Sequence, residues 1–452
     1  MGATKRKIDF SEVLETEDLS PGMNYEKGYF PRHQKTTASV GEGPGVALFD
    51  FWNKRPELQH IHQFAKARRG NPWAVLGVVM ARMMVRVPHY VVTPAIVGGV
   101  GALNLFVNLT GRSGAGKGVA RAIAEEAVLM GEVKQRPLGT GEGLCRLLAV
   151  PDSKKRSEAV LVDGGEVDVI SALKSRQGST LTGILRSAFS GSQLGFTNAR
   201  GDTSVNVNAH TYRVSMVMDV QPEQAGPLMG EAGGGTPQRY LWMPARDPEM
   251  TADKPTAPPP AIWVEPPWPA RKGRRFAELR VAESVVEAID DGIVQRNASE
   301  DNPLDAHAGS VQLRVAVALA LLAGRANVTM ADWRLAQLVM TVSDNMRNEV
   351  QRTLTVVRLR EAAEGGRRYA HSKLAQREAE DELQGKRIEA CKRAIGKHVG
   401  DSWISRSKFA NSHLRSNLKP YLDKAIEELD GKLIEVAGAK QGGLRMRRLD
   451  LG

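Results

Sequence analysis

Between residues 103 and 245, short and nearly continuous apolar runs alternate with stretches in which apolar residues recur three and four positions apart. The runs "LNLFVNLT", "EAVLVD", "YRVSMVMDV" and "YLWMPA" predict strands buried on both faces, while "GVARAIAEEAVLM" and "TLTGILRSAFS" predict helices. That alternation is the signature of an α/β domain built on a largely parallel sheet. Upstream, the segment from "GVALFDFWNK" to "MMVRVP" has helical spacing throughout and predicts two or three helices, the second opening at Asn71-Pro72. The segment "QLGFTNARGDTSVNVNAH" breaks the α/β pattern and predicts a hairpin turning at Ala199 to Asp202.

Patterning also divides the chain. Residues 1–45 are polar and glycine-rich without a period and are expected to form a flexible arm, followed by an α/β domain with its helical preface over 46–250. The proline density of 251–272 disfavours helix and central strand, so a stiff extended linker is expected there. Long helical patterns fill 273–383, with Gly365-Gly366 interrupting a run from Met330 to about Leu383. In 384–452 the pattern is "KRIEACKRAIGKHV", "SRSKFANS" and "LRSNLKPYLDKAIEELDG" as three helices, then "KLIEVAG" and "LRMRRLDL" as a hairpin, which is the layout of a winged helix.

Composition narrows the class of protein. With 452 residues and 42% hydrophobic content the chain can bury a large core in two or three domains. It contains no apolar run of about 18 residues and no signal-like start, so no membrane association and a cytoplasmic location are expected. Cys145 and Cys391 are too few and too far apart for a disulfide framework or zinc site and are expected to be reduced and buried. The net charge is +11, and residues 384–452 carry fifteen Lys and Arg against eight Asp and Glu, a surplus of seven. Positive charge is therefore concentrated where the shape suits DNA. In that segment Arg415, Ser416, Asn417 and Lys419 would face the major groove from the third helix. Arg445, Arg447 and Arg448 would lie on the wing near phosphates. A protein-docking role for the same module is the alternative.

One stretch carries specific chemistry. "GRSGAGKG" (Gly111, Arg112, Ser113, Gly114, Ala115, Gly116, Lys117, Gly118) fills the phosphate-loop template G-x-x-x-x-G-K-[ST] at every position except the last. The three glycines before Lys117 let the backbone N–H groups turn toward phosphate oxygens, the following helix adds its positive end, and Lys117 reaches the outer phosphates. Gly118 lacks the hydroxyl that would hold Mg²⁺, and Val119 beside it is apolar, so the metal would depend on a carboxylate from another strand. Asp163, ending "EAVLVD", is the candidate metal ligand, and Glu166 the candidate for orienting an attacking water. A polar loop and a helix cap are the simpler account of that pair. Asp219 and Gln221 end another buried strand, where a polar side chain can sense the γ-phosphate. Arg239 is a candidate finger for a neighbouring subunit's site, with a surface ion pair as the alternative and Arg186 as a rival.

Taken in order, "FWNKRPELQHIHQFAKA", "NPWAVLGVVMARM", "LNLFVNLTGRSGAGKG", "PLGTGEGL", "EVDVISALKSRQGSTLTGILRSAFSG" and "QRYLWMPA" resemble a group of helicase-like ATPases of actinobacterial phages, prophages and plasmids. Members are often fused to a primase-polymerase module. The resemblance covers about residues 48–345 and implies a P-loop NTPase core of RecA/AAA+-like type, near the superfamily-three helicases. It implies ATP and Mg²⁺ as cofactors, Lys117 as the nucleotide lysine, Asp163 and Glu166 as the acidic pair, and Arg239 as the finger. It further implies a homo-oligomeric ring, a hexamer being one ring size, acting on DNA with primase or other replication proteins, and a pore hairpin carrying Arg200. Relatives usually have Ser or Thr where Gly118 stands, and primer synthesis is not expected of this chain. Two other readings stand beside the motor: a DNA-binding regulator whose phosphate loop senses nucleotide, and a small-molecule kinase, whose loops also read Gly-Lys-Gly but continue with Thr.

Overall fold

The computed structural model describes residues 48, 50–149, 159–174, 180–197, 204–230, 235–298, 307–438 and 443–449. The chain divides into two compact units, Met1–Thr355 and Val356–Gly452.

In the first unit two helices, α1 (Pro56–Ala67) and α2 (Pro72–Arg86), precede the first long strand. The α2 start follows the expected chemistry: Pro72 is at the first position, and the Asn71 side chain accepts from the Trp73 N–H at 2.8 Å. Then come β1 (Phe106–Thr110), α3 (Lys117–Ala127), β2 (Gln135–Pro137), α4 (Gly141–Leu148), β3 (Ala159–Glu166), α5 (Val167–Lys174), α6 (Leu181–Ser190), β4 (Arg213–Val220) and β5 (Tyr240–Pro244). The five strands form one sheet in the order β2-β3-β4-β1-β5, and every neighbouring pair is parallel. All five residues of β1 and all five of β5 are buried, which is why these strands read as nearly continuous apolar runs. Helix α2 packs against β1, β3, β4 and β5, and with α3 and the sheet it closes a core containing Phe64, Met80, Phe106, Ile123, Val217 and Trp242.

The expected hairpin is present where it is described: Leu194–Phe196 pairs antiparallel with Val205–Val207. Its tip, including Arg200, lies outside the described residues. The Pro-rich segment is not a free spacer, because Ala261–Ile262 pairs with Val128–Leu129 and the Trp263 indole N–H donates to the Leu321 carbonyl at 2.8 Å. The helices beyond it, α7 (Glu283–Ala298), α8 (Ala308–Leu322) and the start of α9 (Met330–His398), share the core of the sheet, so no core boundary falls at 251–272. At the α9 start, Asp332 is fully buried and binds Arg55, Arg325 and Thr329, at 2.7 Å to each. Burial pushes its carboxyl up, but these hydrogen bonds together outweigh burial and hold it below the ordinary carboxylate value.

Helix α9 continues through Gly365-Gly366 to His398, where an interruption was expected. A side chain at either glycine would meet nothing within 4 Å, so both sit in solvent and lower helix propensity without removing a contact. In the second unit the end of α9 is followed by β6 (Ile404–Ser405), α10 (Arg406–His413), α11 (Leu422–Leu429), β7 (Ile434–Gly438) and β8 (Leu444–Arg448). The strands form an antiparallel sheet ordered β6-β8-β7, around a core of Ile388, Ile395, Phe409, Leu422, Ile426 and Met446. The third helix begins later than expected. Pro420 lacks an N–H and biases the residue before it away from helix, so Arg415 to Leu418 form a turn, Lys419–Tyr421 a short 3-10 turn, and α11 starts at Leu422.

Both cysteines are buried and free, and no helix among the described residues is long and apolar enough to cross a membrane.

Candidate active site

The glycine-rich loop leaves the C-terminal end of β1 and enters α3. Because β1 lies between β4 and β5 while the chain proceeds from it to β2 on the far side of the sheet, the loop occupies the point where strand order reverses, the usual ligand position in open α/β sheets. The loop glycines have distinct causes. Gly114 and Gly116 hold φ of +77° and +92°, and a side chain on Gly111 would meet the Ala115 methyl at 2.7 Å. Gly118 has no such reason, since a Cβ there would meet nothing within 4 Å.

Lys117 is buried at 7% exposure, and its Nζ donates to the Gly111 carbonyl at 2.9 Å and the Arg112 carbonyl at 3.2 Å. The lysine thus closes the loop on itself. Arg112, Ser113 and Gly114 form an exposed rim, with the Arg112 Nε 3.1 Å from Glu223. Ala115 is half-buried below that rim, and Val119 is 44% exposed on the first turn of α3.

The acidic residues come from the adjacent strand ends. Strand β3 does not stop at Asp163. A bulge at Gly164 and Gly165 shifts the register, so that Asp163 pairs with Val217 and Glu166 with Asp219. Gly165 has a φ of +58°, and a Cβ on Gly164 would press on the Met218 side chain at 2.9 Å, so both glycines are needed for this shape. The bulge brings Glu166 beside Gln221, whose Nε2 donates to it at 2.9 Å. Asp163, Glu166, Asp219 and Gln221 therefore share the sheet edge from which the loop departs.

A residue that sequence reasoning missed joins them. Arg121 on α3 donates to Asp219 at 2.7 Å and to Asp163 at 3.4 Å, with the Val217 carbonyl also 3.4 Å away. Its one sequence signal is the spacing: Lys117 and Arg121 are four apart and share a helix face. Burial pushes the Asp219 carboxyl above its ordinary value, against the opposing pull of Arg121 and Lys117.

Arg239 lies at the other edge of the sheet. Tyr240 is in register with Phe106 and Pro244 with Thr110, so Arg239 precedes β5 at the end remote from the loop, a strand length of ~16 Å away. There it donates to the Gly235 carbonyl at 2.6 Å and shares its surroundings with Arg186, His307 and Arg314. Burial, then Arg239 and Arg314, push His307 down to about 4. Arg314 stacks on Phe189 at 4.2 Å. An arginine in this position serves a phosphate loop only if that loop belongs to another copy of the chain.

In the second unit Arg415, Ser416 and Asn417 are exposed on the turn before α11 rather than on its face, and Lys419 Nζ donates to Asn411 at 2.8 Å. On β8 the guanidinium groups of Arg445 and Arg447 lie 4.7 Å and 4.9 Å from the Trp403 ring, and Arg447 also pairs with Glu435 at 2.7 Å. Arg445 and Arg448 are exposed, so β8 offers two outward cations and one whose charge is already compensated. No protein-family model matches the chain, and no curated protein sequence matches it.

Proposed function

We propose that the first unit is a P-loop NTPase core of AAA+-like type that binds and hydrolyses ATP, and that the second unit is a winged helix that binds DNA. The chain would then act as an oligomeric DNA helicase, translocase or replication-initiation ATPase of a phage or mobile element. One observation carries the reading. The glycine-rich loop stands at the switch point of a parallel sheet ordered β2-β3-β4-β1-β5, with Asp163, Glu166, Asp219 and Gln221 delivered to the same edge by β3 and β4.

In this reading the loop amides and the α3 N-terminus hold the phosphates, and Lys117 exchanges its two carbonyl partners for phosphate oxygens. Glu166, held by Gln221, orients water for attack on the γ-phosphate. Arg239 completes the site of an adjacent copy from the opposite sheet edge, where positive charge stabilises the charge that develops during transfer. Mg²⁺, which the resemblance implies, does not fit this arrangement. Gly118 supplies no hydroxyl, and Asp163 and Asp219 are both engaged by Arg121.

The same engagement of the acids favours a second reading, a DNA-binding regulator that senses nucleotide without turning it over. Steady-state ATP hydrolysis with and without DNA, on wild type and Lys117→Ala, separates the two, with particle mass measured in parallel. The motor requires DNA-stimulated hydrolysis lost in the variant and oligomers formed with ATP and DNA. A monomer that hydrolyses nothing refutes it. Nucleotide binding without turnover, together with one tight DNA site, selects the regulator.

A further inference from the structure

The phosphate site already contains a cation between its acidic side chains. Arg121 Nη1 is 2.7 Å from Asp219, whose side chain is 16% exposed, and Nη2 is 3.4 Å from Asp163. Asp163 also accepts from the Gly165 N–H at 3.1 Å, which fixes its orientation. A magnesium ion needs near-octahedral oxygen ligands at about 2.0–2.1 Å and open carboxylates. To enter here it would have to break the shorter of these ion pairs and leave a displaced guanidinium in the same crevice. The hydroxyl that ordinarily shares the metal is missing at Gly118, although a side chain there would meet nothing within 4 Å. Space for a metal-binding loop residue exists, and the chain does not use it. Lys117 and Arg121 together balance the charges of Asp163 and Asp219, so neither carboxylate needs a metal ion to offset its charge.

We propose that Arg121 is the resident cation of this site: it keeps Asp163 and Asp219 closed to divalent metal, and the ligand is a metal-free nucleoside triphosphate held by Lys117, the loop amides and the α3 terminus. The proposal rests on the nucleotide reading above for its ligand but not for its statement about the acids.

The test uses the full chain and two separate readouts. Mn²⁺ is titrated by electron paramagnetic resonance without nucleotide, and binding of a fluorescent ATP analogue is measured in excess Mg²⁺ and in EDTA. Wild type should take up no Mn²⁺, and its analogue affinity should change by less than about threefold between the two buffers, a difference well under the tenfold step of 1.4 kcal/mol. Arg121→Gln should gain a Mn²⁺ site that Asp219→Asn removes, and its affinity should become at least about tenfold better with Mg²⁺ than with EDTA. Circular dichroism verifies that the variant is folded. Should Arg121→Gln not fold, wild type alone decides: Mn²⁺ uptake that Asp219→Asn abolishes overturns the proposal, and its absence supports it. A folded Arg121→Gln that binds no Mn²⁺ also overturns it. If no nucleotide binds in either buffer, the nucleotide reading fails while the Mn²⁺ measurement still judges the role of Arg121.

Discussion

Lys117 has two tasks, and a single substitution separates them. Replacement by Met keeps the aliphatic stem and removes the ammonium that donates to the Gly111 and Arg112 carbonyls. Hydrogen bonds from a charged donor contribute about 1.5 kcal/mol or more each, so their gross loss is ~3 kcal/mol. Relief from burying the charge offsets part of this, leaving ~2 kcal/mol of destabilisation without any ligand. For a unit of 355 residues the unfolding entropy is ~0.7 kcal/mol per degree, so the melting temperature should fall by ~3 °C. With ATP at about one hundred times its dissociation constant, wild type gains ~2.7 kcal/mol, a rise of ~4 °C, while Lys117→Met should gain less than ~1 °C. Differential scanning calorimetry with and without ATP reads both effects. A variant that melts at the wild-type temperature without ligand, or that keeps the full ATP-dependent rise, refutes the reasoning.

Three further outcomes are expected. Gly164→Ala pushes a methyl into Met218 and displaces Glu166, so the rate of ATP hydrolysis should fall by at least about tenfold while analogue binding changes little; stopped-time phosphate release against a fluorescence titration measures the split. Asp332→Asn breaks a buried network of two arginines and should cost about 3 kcal/mol by chemical denaturation. Because the folded carboxyl is held below its ordinary value, this contribution is complete above about pH 5 and declines as pH falls through the carboxylate range, so the gap between wild type and variant should shrink in acid. On the second unit, Arg445→Ala should reduce the dependence of DNA affinity on salt by about one counterion, whereas Arg447→Ala, whose charge Glu435 already balances, should change the slope less; fluorescence anisotropy across a salt series compares them.

What the sequence revealed and what it hid follow from how local each cause is. The buried strands β1, β3, β4 and β5 declare themselves because burial on both faces leaves nearly continuous apolar runs. Strand β2, three exposed residues at the sheet edge, has no apolar content and gave no signal. The extension of β3 past Asp163 depends on a contact between Gly164 and Met218, which only the paired strand reveals. Arg121 looks like an ordinary helix residue because its acidic partners lie 42 and 98 positions away in the chain. The late start of α11 was readable in principle, since Pro420 is a local signal that the apolar spacing of its neighbours obscured. Arg239 was recognisable as a cation after a glycine run, but its distance from the loop emerges only from the register of β5 against β1.

The position of β1 in the middle of the sheet has a consequence for synthesis. Its two neighbours are β4 and β5, and about 100 residues separate Thr110 from the first residue of β4. At ~5–20 residues per second the ribosome needs ~5–20 s to deliver that partner, during which β1 has neither edge covered. A nascent chain of this protein therefore spends seconds with the segment that later carries the glycine-rich loop unpaired on both edges, and any pause in elongation between Thr110 and Arg213 lengthens that window.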